Sequence, residues 1–400
     1  MLRSRTGPEP DWLSRGRIPA LDGLRAVAVL LVCLAHAHRT TDFPSLGPLH
    51  RLGSIGSVGV DIFFVLSGFL ITTLLLREHE QTGRTSLGGF YLRRSFRILP
   101  AYVCFMAFVA ALSWYGFAKP SAWDWAAAVT YTMNFVPRPA WELGHLWSLS
   151  VEEHFYLIWP VTFLVVPRRA LPGVLAGTLA LGPLARLAVL IWWPAEARMT
   201  DLWTFTRLDS IAAGCLVAVL ARSPLGFRTL DVLGRWWPAA FVLLVAGLAA
   251  GTLSGKMGIL VTPTVVALTL GVLVWAAARR APRWLEARVM VAVGVGSYSL
   301  YLWQQPFLNP HCEGWYARFP QNLILAGSCA LASYWLVEKP FLRIKSRLEA
   351  RGRSGNTPAP APDGLSDVLP ASVPSDPRGA EYFAPAARLV GDPPKAGMEP

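Results

Sequence analysis

The chain has 400 residues; 53% are apolar or aromatic and only 16% are Asp, Glu, Lys or Arg, against roughly 25% in soluble domains. With a mean hydropathy of +0.40, this composition excludes an ordinary soluble enzyme and a largely disordered chain, and it points to a membrane protein. The net charge of +12 does not call for a nucleic-acid partner, because Lys and Arg also hold the loops of membrane proteins on the cytoplasmic side.

A spanning helix needs roughly 20 mostly apolar residues. The pattern predicts an all-α, polytopic fold with ten such helices in the lipid bilayer, at 18–38, 58–76, 98–118, 146–166, 171–193, 203–221, 237–254, 258–278, 289–309 and 320–342. The segment 121–136 is short and amphipathic and reads as one interfacial or re-entrant helix. Of the 37 Lys and Arg residues, 27 fall at the termini, at even-numbered connections or, for Lys339, at the end of the last span, and 7 at odd-numbered connections, while Arg25, Arg186 and Arg207 lie within spans. This alternation predicts a multi-pass protein of the plasma (inner) membrane with both termini cytoplasmic. The run RAVAVLLVCLAHA resembles a cleavable signal peptide, but nine further spans favour a retained first helix. The expected organisation is a cytoplasmic segment 1–17, a membrane domain 18–345 and a disordered Pro/Ala-rich cytoplasmic tail 346–400. Five cysteines without a CxxC pair argue against a disulfide framework and against a zinc site; no metal is expected.

Charges at membrane depth are costly, so each one is a functional candidate. Arg25 and His36 are eleven residues apart, which returns them to within about 20° of one helical face and separates them by about 16 Å along the axis. Asp22 lies within about 60° of both. On the second helix, Ser57, Asp61, Gly68 and Thr72 share a face; on the fourth, His145, Ser148, Glu152 and Tyr156 do so. Arg207 and Asp209 are two residues apart and point to opposite sides, so they cannot neutralise each other directly. The ninth helix contributes Tyr298, Tyr301, Trp303 and Gln304. This gives a depth map: His36, Asp61, Glu152, Arg207, Asp209 and Gln304 in the outer layer, Arg25 deeper, and Arg77, Arg93, Arg94 and Arg97 at the inner face. Arg93 and Arg97 are one turn apart and could converge on one anion; their plain alternative is a positive-inside flank. On these features alone, an enzyme and an exporter of an anionic or glycolipid substrate stand level.

The stretches IPALDGLRAVAVLLVCLAHA, GVDIFFVLSGFLIT, FYLRRSFRILPAY, HLWSLSVEEHFYLIWP, RLDSIAAGCLVA, SYSLYLWQQP and VEKPF resemble the acyltransferase family 3 membrane proteins. These include O-antigen and peptidoglycan O-acetylases and antibiotic-sugar O-acyltransferases. The resemblance covers about 18–345, and the Arg-x10-His spacing of Arg25 and His36 is its hallmark. It implies transfer of an acyl group, acetyl in the simplest case, from acyl-CoA to a hydroxyl of a carbohydrate or glycoside, with no bound cofactor. It implies that His36 is the catalytic residue, that Arg93, Arg94 and Arg97 take part in donor recognition, and that Glu152 is a further motif residue. The family often carries an extracytoplasmic hydrolase-like domain after the membrane part, and none is expected here.

The combined reading makes His36 a general base polarised by Glu152 or Asp61, and lets Arg25, Arg93, Arg94 and Arg97 meet acyl-CoA. Arg207, Asp209, Tyr298 and Gln304 are candidates for the acceptor site. Two departures stand out: His154 replaces the Gln of SVEEQFY, and Gln304 replaces the His of YLWHxP. Gln can donate and accept hydrogen bonds but cannot titrate, so a catalytically silent family member is the third reading, beside the enzyme and the exporter.

Overall fold

Long apolar runs in a bilayer leave the backbone no hydrogen-bond partner but itself, so they coil into helices. A computed structural model describes residues 18–44 and 55–354 and, among these, contains helices and no strand. The helices are α1 Pro19–Ala37, α2 Ile55–Thr82, α3 Leu87–Trp114, α4 Ala122–Val129, α5 Trp141–Gly144, α6 Leu146–Val165, α7 Leu171–Trp192 and α8 Thr204–Leu220. They continue with α9 Pro224–Arg235, α10 Trp237–Leu253, α11 Gly255–Leu260, α12 Thr262–Arg280, α13 Arg288–Val295, α14 Ser297–Phe307, α15 Gln321–Ser333 and α16 Lys339–Ser354. A π turn, Tyr334–Glu338, joins the last two. The packing described below lies in the unit that ends at Glu349.

Among the described residues, six helical stretches are long and apolar enough to cross a membrane: α1, α2, α3, α7, α8 with the 3-10 turn before it, and α12. A seventh is added if α9 and α10, bent by 72° at their junction, count as one. The expected ten is therefore not reached on length and apolarity. α6 carries Glu152, Glu153 and His154 and is less apolar. The run at 289–309 breaks at Gly296 into α13 and α14. The last run is divided by the π turn. Outward-facing Leu157, Ile158, Leu181, Leu184, Val242 and Leu243 are exposed, a surface suited to lipid rather than to water.

Two boundaries differ from expectation in ways that matter for the site. α3 begins at Leu87, capped by the Ser86 hydroxyl, which accepts from the Gly89 amide. Arg93, Arg94 and Arg97 thus occupy its second and third turns rather than a flanking loop. At the other end, α16 runs through Ser354, past the expected tail boundary at 345. Its Lys, Arg, Leu and Glu residues favour helix, and the Pro-rich composition starts only later. The remainder of the expected tail, 355–400, and the N-terminal segment 1–17 lie outside the described residues. The expected interfacial segment does contain a short helix, α4, opened by a reciprocal capping box between Ser121 and Asp124.

Small residues set how closely the central helices approach. A Cβ on Gly68 of α2 would collide with the Ile211 carbonyl of α8, and one on Gly214 of α8 with the Val65 carbonyl of α2. The two backbones touch at this reciprocal pair. α1 is seated in the same way: a Cβ on Gly294 of α13 would strike the Asp22 carbonyl, and one on Gly23 the Leu285 carbonyl. Because the obstacle is backbone, a rotamer change cannot relieve it. Gly214→Val is therefore expected to cost more than the roughly 1–3 kcal/mol of side-chain overpacking. The check is the fraction of monodisperse protein in detergent and its thermal midpoint, both of which should fall while Gly173→Ala, at a position with open space, changes neither.

Candidate active site

α1 ends just beyond His36. His36 Nδ1 lies 2.8 Å from Oε1 of Gln304 on α14, and its ring meets the ring of Trp141 edge-on at a centroid distance of 5.5 Å. Trp141 is clamped to α14 at two points. Its indole Nε1 donates to the Gln305 carbonyl at 2.8 Å, and its own carbonyl accepts from Gln305 Nε2 at 2.9 Å. The Gln305 carbonyl is available because it lies in the last turn of α14, where carbonyls have lost their helical partners. Gln304 Nε2 donates to Gln305 Oε1 at 3.0 Å and more weakly to the Tyr301 carbonyl at 3.4 Å. Gln304 and Gln305 are both buried. His38 faces elsewhere, with its Nδ1 3.3 Å from the Leu34 carbonyl of its own helix.

One turn before Gln304, Tyr301 lines a cavity between α1, α2, α6 and α14, together with Arg25, Ser67, Ser148, Glu152 and Tyr298. Phe63, Phe64, Leu66 and Leu149 form its apolar walls. The Tyr301 hydroxyl is bonded to Ser148 and donates to the His145 carbonyl at 2.9 Å, so α14 is tied to the start of α6. Glu152 accepts from the Ser67 hydroxyl at 2.7 Å and from the Tyr156 hydroxyl at 3.1 Å. Arg94 pairs with the same carboxylate at 3.8 Å and lies 3.4 Å from the centroid of the Tyr156 ring, a cation–π contact. The structure thus brings Gln304, rather than Glu152 or Asp61, into hydrogen-bond contact with His36. It also joins Glu152 to Arg94, two residues that the depth map had set in separate layers, because α3 carries its arginines inside the helix.

The other arginines divide. Arg97 lies within electrostatic reach of Arg25, Arg94 and Glu338. Glu338 is itself buried in the π turn and accepts from the Ser299 hydroxyl at 2.9 Å. Arg93 pairs with Glu78 of α2 at 2.8 Å, with a third of its side chain exposed. So Arg25, Arg94 and Arg97 cluster near the cavity, while Arg93 is held to α2.

Asp61, Arg207 and Asp209 are engaged in a different way. Arg207 is ion-paired with Asp61, which also accepts from the Ser210 hydroxyl at 2.9 Å. Asp209 pairs with Arg186 at 2.9 Å and accepts from the Thr264 hydroxyl at 2.7 Å. Arg186 also donates to the Thr206 carbonyl at 2.6 Å. Arg207 and Asp209 do point apart, as their spacing requires, and each meets its own partner. All four charged side chains are 5% exposed or less. This is a buried network between α2, α7, α8 and α12. His154, the other departure, has its Nδ1 2.7 Å from the Thr204 hydroxyl and links α6 to α8.

Ser67 and Glu338 were present in the motif stretches SGF and VEKPF without an assigned part. Trp141 carried no sequence signal, because it sits on a one-turn helix before α6.

The family model for the acyltransferase domain matches residues 18–336. The chain belongs to acyltransferase family 3. Among curated proteins, it is similar to the O-acetyltransferase OatA of Staphylococcus aureus strain NCTC 8325, at 28% identity over 81% of this chain and 57% of that protein. It also matches a putative O-acetyltransferase of S. aureus strain COL at 31% identity, over 51% of this chain and 35% of that one. The chain therefore spans little more than half the length of the first of these relatives. No solved structure matches it. Gln304, which stands where the resemblance leads one to expect a His, is the hydrogen-bond partner of His36.

The network of Arg186 and Asp209 yields a direct test of its structural part. Removing one partner of a buried pair strands a charge and typically costs about 3–5 kcal/mol, whereas replacing both with apolar residues of similar volume is often neutral or better. Asp209→Leu should lower thermal stability in detergent sharply, and Asp209→Leu with Arg186→Met should recover much of it. If the two losses simply add, the pair is not coupled.

Proposed function

We propose that this chain is a membrane O-acyltransferase that moves an acetyl or other short acyl group from acyl-CoA to a hydroxyl of a carbohydrate or glycoside. Membership of acyltransferase family 3 over residues 18–336, with His36 held on Gln304, one helical turn from Tyr301 of the cavity that Arg25 lines, carries the reading. The O-acetyltransferase names of the relatives support it. In this reading ten segments traverse the membrane, three of them less apolar or broken, and both termini are cytoplasmic. A phosphatase reporter fused just after Ser354 should then be silent, since it is active only outside the cytoplasm.

Neutral His36 accepts the proton of the acceptor hydroxyl as its oxygen attacks the thioester carbonyl. The tetrahedral adduct expels CoA thiolate, which takes up the proton from His36. General-base assistance of this kind is worth roughly 10²–10⁴ in rate. Arg94 and Arg97, with Arg25, meet the anionic groups of the donor; Arg93, already paired with Glu78, contributes less. Glu152 fixes Arg94 and the Ser67 hydroxyl at the cavity wall. Asp61, Arg207 and Asp209 hold the helices in position. An exporter would share the intramembrane charges but would not need acyl-CoA.

In membranes supplied with labelled acetyl-CoA, His36→Ala should abolish label transfer to glycans while the protein still inserts. His38→Ala should be nearly silent. Near-wild-type transfer by His36→Ala would sink the mechanism. Arg94→Ala or Arg97→Ala should raise the apparent KM for acetyl-CoA by roughly tenfold, the scale of a lost charge-assisted hydrogen bond; Arg93→Ala should raise it less.

A further inference from the structure

The hydrogen bonds around His36 carry more information than their lengths, because the roles of donor and acceptor can be propagated along them. A backbone carbonyl only accepts. Trp141 O, 2.9 Å from the Gln305 side-chain nitrogen, therefore requires the Gln305 NH2 on that side. Gln305 Oε1 is then an acceptor facing Gln304, and the atom that meets it at 3.0 Å has to be the Gln304 NH2. The Tyr301 carbonyl makes the same demand. Gln304 Oε1 is what remains to face His36 Nδ1 at 2.8 Å. An amide oxygen cannot donate, so the hydrogen in this bond belongs to His36 Nδ1.

No alternative arrangement of the two amides survives. Flipping Gln304 alone sets its oxygen against two acceptors, Gln305 Oε1 and Tyr301 O. Flipping both glutamines sets Gln305 Oε1 against Trp141 O. Gln304 is 0% and Gln305 4% exposed, so bulk water is not at hand to repair either conflict. The chain also closes on itself. Trp141, which orients Gln305 at one end, packs its ring on the His36 imidazole at the other.

We infer that Gln304 and Gln305 are positioning residues: a neutral two-amide relay, anchored on Trp141, that locks His36 as the Nδ1–H tautomer and leaves the Nε2 lone pair as the base. The catalytic consequence rests on the proposed part of His36 in acyl transfer; the tautomer itself does not. A buried carboxylate in place of Gln304 would hold the same tautomer but add a negative charge. The relay orients the ring without one. The titratable and charged groups around it are His38 and Arg39 at and just past the end of α1, His145 at the start of α6, and, on the Trp141 side, Glu142 and His311, whose ring meets that of Trp141 at 5.6 Å.

The deciding measurement is the ¹⁵N spectrum of protein labelled at its seven histidines, in detergent at neutral pH, with His36 assigned by subtraction of His36→Gln. The expected signature is a protonated Nδ1 and an unprotonated Nε2. The reverse pattern, or a mixture of tautomers, overturns the inference without recourse to any assay. Gln304→Met should then release the tautomer and lower kcat for label transfer from acetyl-CoA by roughly tenfold or more, with the KM for acetyl-CoA unchanged. Gln304→Glu, which as the protonated acid accepts from Nδ1–H on one oxygen and donates to Gln305 Oε1 from the other, should restore the signature and much of kcat. If Gln304→Met does not fold, Gln305→Met tests the same relay one link further out. A locked tautomer together with unimpaired transfer by His36→Gln would leave the relay standing and remove the base. An unchanged tautomer and kcat in Gln304→Met would remove the relay.

Discussion

Arg186 is completely shut off from solvent, so its charge has to be met from inside the helix bundle. The answer is Asp209 at 2.9 Å, with the Thr264 hydroxyl and the Thr206 carbonyl filling further donor positions of the guanidinium. In a low-dielectric interior such a set is costly to assemble and costlier to break. It binds α7, α8 and α12 at one point. Two residues away on α8, Arg207 meets Asp61 and extends the constraint to α2. The glycine crossing of α2 and α8 then fixes their separation. α2 carries Ser67 and the phenylalanines of the cavity wall, so the geometry around Glu152 depends on charges that never touch the cavity.

Much of this was legible in the residues. Helical arithmetic correctly separated Arg207 from Asp209 and left each in need of its own partner. The composition and the apolar runs gave the helical class, and seven motif stretches gave the family. What periodicity could not supply is which helix stands next to which. His36 and Gln304 are 268 residues apart, and nothing within either helix announces the other. The same limit hid the partner of Arg186, which sequence reading had only counted as a charge within a span. Glu152 and Arg94 were set at different depths because α3 was started eleven residues late. A Ser N-cap at 86 is a local signal, but RRSFR interrupts the apolar run and looks like a loop flank. The count of ten goes beyond what length and apolarity alone show for a related reason. α6 and α14 carry the polar groups of the site, and polarity and breaks are what an apolarity test penalises.

The two ends of the site have opposite characters. Around Glu152, charge is concentrated: Arg94, Arg97 and Arg25 stand near three carboxylates, Glu152, Glu153 and Glu338. Around His36, the bonded partners are amides, carbonyls and an indole. A substrate with a polyanionic handle and an uncharged reacting group would find a matching surface at each end. Tyr301 belongs to both, since it lines the cavity and sits one turn from Gln304.

The π turn at Tyr334–Glu338 has a consequence for how this helix can be compared and altered. A π turn holds one more residue than an α turn, so the start of α16, residues 339–347, is rotated by about one residue step, roughly 100°, relative to an uninterrupted helix. It reads as a single-residue insertion accommodated without breaking the rod. The carboxylate of Glu338 is carried inward by that extra residue, to Ser299 and the neighbourhood of Arg97. The basic helix that follows owes its facing to the same step. One residue thus sets both the carboxylate that stands near Arg97 and the side on which the positive charge of residues 339–347 is displayed.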